Sequence, residues 1–293
     1  MINSTKANLY ILVTYTIWGI QPLYWRLFTH FPLPYILAHR IIWASIFMFL
    51  IVLLTNRKKQ FLLVLGNKKQ MLFLIVSSIA ITLNWLLNIY AAYTKQVVES
   101  SLGHYITPIV IILIGIVVFK EKIELHKIIA LVLVAIGVIS ISIKVGKLPL
   151  IAISILLTFT IYTFIKKINP ADPVVEVTLE TLIAAPFFIG YLLYNYYTQG
   201  THFFYTTSFS DIILLISTGI FTFLPLVLYS YGVKSINFTT LGFIQYWAPT
   251  ISLCVGIFVL KEAFSTGHLF SFSFIWAATL IVLISPILKK GKL

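Results

Sequence analysis

Residues 100–108 read SSLGHYITP, and residues 239–249 read TTLGFIQYWAP. Both open on two hydroxyl residues, pass through Leu-Gly into an aromatic-bearing stretch, and reach Pro. The likeness extends outward in both directions. Upstream, Tyr90 corresponds to Tyr229, Lys95 to Lys234 and Gly103 to Gly242, each pair 139 residues apart. Downstream the second copy is two residues longer. There Pro108 corresponds to Pro249, Gly115 to Gly256 and Lys120-Glu121 to Lys261-Glu262, 141 apart. One order of features written twice marks an internal duplication.

The surrounding chain says what was duplicated. Of 293 residues, 60% are apolar and 10% charged, with a mean hydropathy of +1.01. A soluble domain carries about 25% charged residues, so this chain cannot cover a water-facing surface. A bilayer core about 30 Å thick takes roughly 20 apolar residues per helix. Runs of that kind fall at 8–27, 35–54, 71–94, 100–119, 125–143, 149–165, 174–194, 212–233, 239–260 and 268–288. The expected fold is therefore an all-α integral membrane protein of ten transmembrane helices. The duplication divides them into two five-helix repeats, residues 1–145 and 146–293. Segment 8–27 is long and has no small-residue cleavage site after it, so it reads as a first span and not as a signal peptide.

Five is odd, so the second copy enters the membrane from the opposite side. Inverted repeats place a substrate site near the midplane where the halves meet, and rocking of one half against the other opens it to alternate sides. Gly103, Pro108, Gly242 and Pro249 are then candidate gating and packing residues. Glycine permits close backbone approach, and proline frees carbonyls inside a helix. Ser100, Ser101, Thr239 and Thr240 are placed to cap the two helix starts. Plain capping and helix–helix packing account for the same residues.

With the N-terminus cytoplasmic, fifteen of the 21 Lys and Arg fall on cytoplasmic segments and four on outside segments; Arg26 and Arg40 lie in or near spans. The positive-inside rule puts both termini in the cytoplasm, and the membrane expected is the cell's inner (plasma) membrane. The net charge of +13 is mainly an orientation signal, with an anionic substrate as the functional alternative and nucleic acid excluded as a partner.

Several stretches together resemble the RarD-type proteins of the EamA family, within the drug/metabolite transporter superfamily. They are TYTIWGIQPLYWRLF (14–28), ILAHRIIW (36–43), LNWLLNIYAA (83–92), ESSLGHYITP (99–108), LETLIAAP (179–186) and TTLGFIQYWAPT (239–250). The resemblance covers nearly the whole chain. It implies two EamA-type repeats and a permease or exporter role, without fixing the cargo. His104 departs from the aromatic expected after Leu-Gly.

Polar residues at bilayer depth are costly and need partners or a wet cavity. Arg40 and Glu180 are each the sixth residue counted from Tyr35 and Val175, 140 apart in repeat-mate spans. They are expected either to pair or to flank the cavity, with snorkelling as the alternative. Glu180 is also the candidate for proton coupling, a role that competes with a structural ion pair. In the first span Thr14, Trp18, Gln21 and Trp25 form one stripe. Asn84 and Asn88 form another in the third, His104 faces with Pro108 in the fourth, and Gln245 and Tyr246 adjoin in the ninth. The candidate substrate-cavity set is thus Trp18, Gln21, Arg40, Asn84, Asn88, His104, Glu180, Gln245 and Tyr246. Aromatics beside amides suit a cargo with an apolar body and polar groups; interhelical hydrogen bonding accounts for the amides equally well.

The function expected is secondary transport of small amphipathic metabolites or drugs, with a passive facilitator as the alternative. A membrane enzyme needs a convergent acid, base, nucleophile or metal set, and the sequence shows none. No cofactor is expected: there is no phosphate-binding glycine loop, the histidines show no metal-ligand spacing, and Cys254 stands alone. The apolar fifth and tenth spans leave a homodimer open.

Overall fold

The computed structural model describes residues 3–94, 97–142, 150–199 and 208–259, together with 273–274, 276–278 and 280–281. Among the described residues every regular element is a helix. They are α1 (Ser4–Trp25), α2 (Leu33–Leu54), α3 (Lys58–Gly66), α4 (Lys68–Tyr93), α5 (Val97–Val117), α6 (Leu125–Ser142), α7 (Leu150–Ile168), α8 (Pro173–Gln199), α9 (Phe209–Ser235), α10 (Phe238–Gln245) and α11 (Trp247–Cys254), with a short π-helical stretch at Val255–Val259. Five described segments are long and apolar enough to cross a membrane: Leu33–Leu54, Lys68–Asn88, Leu150–Ile168, Pro173–Thr198 and Phe209–Ser235. α1 is not among them. Its length suffices, but Thr14, Thr16 and Gln21 interrupt its apolar character. Most of the expected tenth span, 268–288, lies outside the described residues.

The helices pack in pairs that the duplication exchanges. α1 lies on α9 and α11, and its repeat mate α7 lies on α4 and α5, the mates of those two. α2 lies on α9 as α8 lies on α4. Among the described residues the most extensive contacts between mates are α2 with α8 and α5 with α10. These fix the hand of the relation. The Thr178 hydroxyl donates to the Met48 carbonyl at 3.3 Å. Leu37, Ala38 and Ile41 share an apolar cluster with Ala184, Ala185 and Phe188. Rising numbers on α2 meet falling numbers on α8, so the mates run antiparallel. Two copies related in this way are inverted about an axis that crosses the helices.

The α5–α10 contact is the meeting of the two duplicated phrases. A Cβ on Gly242 would lie 2.7 Å from the Pro108 carbonyl oxygen, and one on Gly115 would lie 2.9 Å from the Phe238 Cβ. Only glycine allows this approach at both points. Gly103 has the same function against α7, where a Cβ would stand 2.7 Å from the Ala152 carbonyl oxygen. Tyr246 closes the seam by donating its hydroxyl to the Tyr105 carbonyl at 3.0 Å.

Three local expectations need correction. The ninth span is not continuous: the helix breaks at Tyr246, between α10 and α11. This is where the second copy carries its two extra residues. Pro249 consequently sits in the first turn of α11, where its missing N–H leaves no gap in the ladder, while Pro108 stays inside α5. Thr239 and Thr240 do not cap α10, since both lie within it and the N-cap Asn237 makes no side-chain cap bond. The cap comes from across the bundle. Glu121 accepts from the Phe238 N–H at 2.7 Å and the Thr239 N–H at 2.8 Å, a carboxylate held at a helix N-terminus. Ser100 and Ser101 lie inside α5, and their side chains fall outside the described residues. Finally, residues 58–66 are helical (α3) where a loop was expected. The helix spans nine residues, with Lys58 and Lys59 at one end and Leu62, Leu63 and Leu65 exposed.

Candidate functional site

The innermost layer is aromatic. Tyr15 and Trp18 of α1, Phe159 and Tyr162 of α7, and Tyr229 of α9 form one cluster. Trp18 meets Phe159 edge-on at 6.1 Å between centroids and lies 5.4 Å from Tyr229. Trp18 and Phe159 belong to mate helices, so the cluster sits where the halves join. Tyr229 is anchored by Thr163, hydroxyl to hydroxyl at 2.8 Å.

Beside this cluster runs a chain of amides. Asn84 donates to the Ile155 carbonyl and the Thr158 hydroxyl, both at 3.0 Å, and Asn88 donates to the Asn84 carbonyl at 2.8 Å. His104 Nε2 lies 2.9 Å from Asn88 Oδ1. Three expected site residues are therefore brought together across α4, α5 and α7. On the opposite flank the Gln21 amide nitrogen and the Gln245 amide oxygen are buried without a partner among the described residues. Trp247 donates to Thr16 at 2.9 Å and ties α11 to α1.

Arg40 and Glu180, expected to pair or to flank the cavity, do not pair. Because the Thr178–Met48 bond sets an antiparallel register, Glu180 stands level with Ile46. Arg40 is six residues further along α2, about 9 Å at 1.5 Å per residue. Each finds different company. Arg40 donates through Nε to Thr222 at 3.1 Å and lies over the rings of Trp25 and Trp85, 4.6 and 4.9 Å from their centroids.

Glu180 belongs to a buried ionic knot at the α7–α8 end. Lys166 Nζ is 2.7 Å from Glu180 and 3.4 Å from Glu176, and Lys234 Nζ is 3.1 Å from Glu176. Ser77 donates to Glu180 and Ser230 to Glu176, each at 2.5 Å. Asn169 donates to the free oxygen of Glu176 at 3.1 Å, and Lys234 also reaches the Asn169 and Ala171 carbonyls. Two carboxylates meet two ammonium groups, so the knot is balanced and its lone pairs are occupied. It ties α4, α7, α8 and α9. Lys166, Glu176, Lys234, Ser77 and Ser230 were absent from the expected cavity set. Glu176 and Glu180 do stand four apart on one helix face, a readable signal, but the lysines looked like loop residues. Among the described residues no three His, Cys, Asp or Glu converge as for a metal ion.

Comparison with known proteins gives this architecture a family. The model of the EamA-like transporter family matches the chain twice, over residues 5–143 and 147–284. The chain belongs to the EamA-like transporter family. This EamA-type chain is 37% identical to "Uncharacterized transporter YojE" of Bacillus subtilis over 97% of its own length and 96% of that protein's. It is 30% identical to "Protein RarD" of Salmonella typhi, covering 98% and 97%, and 29% identical to "Protein RarD" of Escherichia coli, covering 98% and 97%. A crystal structure at 15% identity superposes with a TM-score of 0.72 over 94% of this chain and 96% of the other, which supports the fold. With the five membrane-length segments, the family membership makes this a multi-pass membrane protein.

Proposed function

We propose that this EamA-type chain is a secondary transporter of small amphipathic metabolites or drugs. It works by alternating access in the cell's inner membrane, with both termini cytoplasmic. The observation that carries the reading is the contact of Trp18 with Phe159 in the aromatic cluster between mate helices. A site built where inverted halves join is exposed to one side or the other as the halves rock. The relatives named as transporters support the same class. Aromatic faces bind the apolar body of a cargo, and the amides of Gln21, Asn84, Asn88 and Gln245 meet its polar groups. The gating seam is α5 against α10, with Gly242 on Pro108.

A passive facilitator is the alternative, and the observation on its side is that Glu180, the candidate for proton coupling, already holds a cation and a hydroxyl. The test is a thermal-shift screen of the purified protein against metabolites, amino acids and phenicol drugs. A stabilising compound is then followed for flux into liposomes, with and without a pH gradient. Saturable flux that is lost in Trp18→Ala is expected; dependence on the gradient supports the secondary transporter, and indifference to it supports the facilitator. Chemical consumption of the compound in sealed vesicles would point to an enzyme and end the reading.

A further inference from the structure

The repeat exposes a charge asymmetry. In the second copy Lys166, Glu176 and Glu180 belong to the neutral knot. At a spacing of 140 the first copy has Arg26, Ile36 and Arg40 in their places. Both carboxylates are gone, and one of them has become a guanidinium. At those three positions the first copy therefore carries two cations and no anion.

Arg40 is the cation that matters, because it lies within a span. The described carboxylates are engaged elsewhere: Asp172 with Arg57, Asp211 with His30, Glu124 near His126, Glu121 on α10, and Glu176 and Glu180 in the knot. The side chains of Glu99 and Glu262 lie outside the described residues. Among the described residues no carboxylate is within ion-pair distance of Arg40, and its one hydrogen bond is the Nε bond to Thr222. The two terminal amino groups carry four further N–H donors, and Arg40 is part-exposed rather than sealed. A second observation lies on the adjoining helix. One turn before Trp25 on α1, the buried Gln21 amide nitrogen has no acceptor among the described residues. Two sets of unmet donors and the indoles of Trp25 and Trp85 therefore line one region between α1, α2, α4 and α9.

We propose that Arg40 is a substrate-binding residue and that the cargo is a small organic monocarboxylate with a flat apolar body. The planar fork of terminal N–H groups matches a carboxylate. One guanidinium within the span neutralises one charge, so a monoanion fits and a phosphate dianion keeps a second charge without a partner. The apolar body lies along the α1 face that carries Gln21 and Trp18. This deepens the transporter reading, and it is tested by binding, which does not depend on flux.

Full-length protein in a neutral detergent is titrated with radiolabelled phenylacetate and indoleacetate, and with uncharged phenylacetamide. The acids are expected to bind wild type and phenylacetamide to fail. Arg40→Lys should bind at least about tenfold more weakly, the scale of a lost charge-assisted hydrogen bond, and Arg40→Gln should not bind. A retained melting transition in the lysine variant guards against misfolding. Any of four binding results overturns the inference: neither acid binds wild type, phenylacetamide binds as well as the acids, Arg40→Gln binds unchanged, or phosphatidylglycerol occupies the site in an Arg40-dependent way that neither acid displaces. Saturable flux of a neutral compound with Arg40→Gln unaffected would leave the transporter standing and remove this inference. Phenylacetate binding without flux of any bound compound would do the reverse.

Discussion

Lys166 on α7 lies 2.7 Å from Glu180 on α8, and both side chains are shielded from solvent. Neither charge is tolerable there alone. Replacing Lys166 by Met leaves Glu176 and Glu180 facing only Lys234. Removing one partner of a buried pair costs about 3–5 kcal/mol, so Lys166→Met should lower the melting temperature sharply. Adding Glu180→Gln restores the balance of Glu176 with Lys234. The double variant should therefore be more stable than Lys166→Met alone, as read by thermal unfolding in detergent. A double variant less stable than the lysine single would mean the knot is not the charge-balanced unit described.

Glu121 offers a second test, because one side chain caps a helix that is 117 residues away in sequence. Glu121→Ala leaves the N–H groups of Phe238 and Thr239 without their acceptor. Loss of an N-terminal cap costs about 0.5–2 kcal/mol. The expected readout is local: hydrogen exchange at Phe238 and Thr239 should quicken while amides in α8 hold their rates. Glu121→Gln keeps one acceptor oxygen and should fall between.

The duplicated phrase made the inverted fold legible, because residues at matched spacings either side of Leu-Gly can be counted without coordinates. The amide chain was readable for a related reason: Asn84 and Asn88 are unusual in an apolar run. The partners of the charged residues were not readable. As repeat mates Arg40 and Glu180 could pair or flank the cavity, but in antiparallel helices mates away from the crossing point lie toward opposite ends of the bundle. Only the antiparallel register of Thr178 on Met48 reveals the offset. Lys166 and Lys234 end apolar helices, where a lysine normally reaches for water. What draws them inward is Glu176 and Glu180 on a neighbouring helix, a tertiary fact. The break at Tyr246 was present as a two-residue length difference, which proximity to Pro249 left unassigned to any one bond. Helix α3 is too short at nine residues for periodicity to separate it from a basic loop.

The α5–α10 seam can be loaded sterically. A Cβ on Gly242 would come within 2.7 Å of a backbone oxygen, Pro108 O, which cannot swing aside as a side chain would. Overpacking of this kind costs about 1–3 kcal/mol. Gly242→Ala should lower thermal stability and reduce flux by holding the two phrases apart. Gly66→Ala is the control, because nothing lies within 4 Å of its Cβ. A surface change of that kind should stay within about 0.5 kcal/mol of wild type.

Orientation is the remaining measurable expectation, and α3 provides the handle. Arg57 meets Asp172 at 3.2 Å, so the α2–α3 junction and the α7–α8 turn lie at one end of the bundle. Lys58, Lys59, Lys68 and Lys69 are clustered at the same end, beside exposed Leu62 and Leu63. Lysines attract anionic headgroups while the leucines enter the interface, so α3 should lie on the membrane surface. Positive residues of this density mark the cytoplasmic side. A cysteine placed at Lys59, in a Cys254→Ser background, should react with an impermeant maleimide in inside-out vesicles and not in intact cells. Cys254 is exposed and must be removed for the label to report one site. Labelling of Lys59→Cys in intact cells would reverse the proposed topology and, with it, the side on which the Glu121 cap acts.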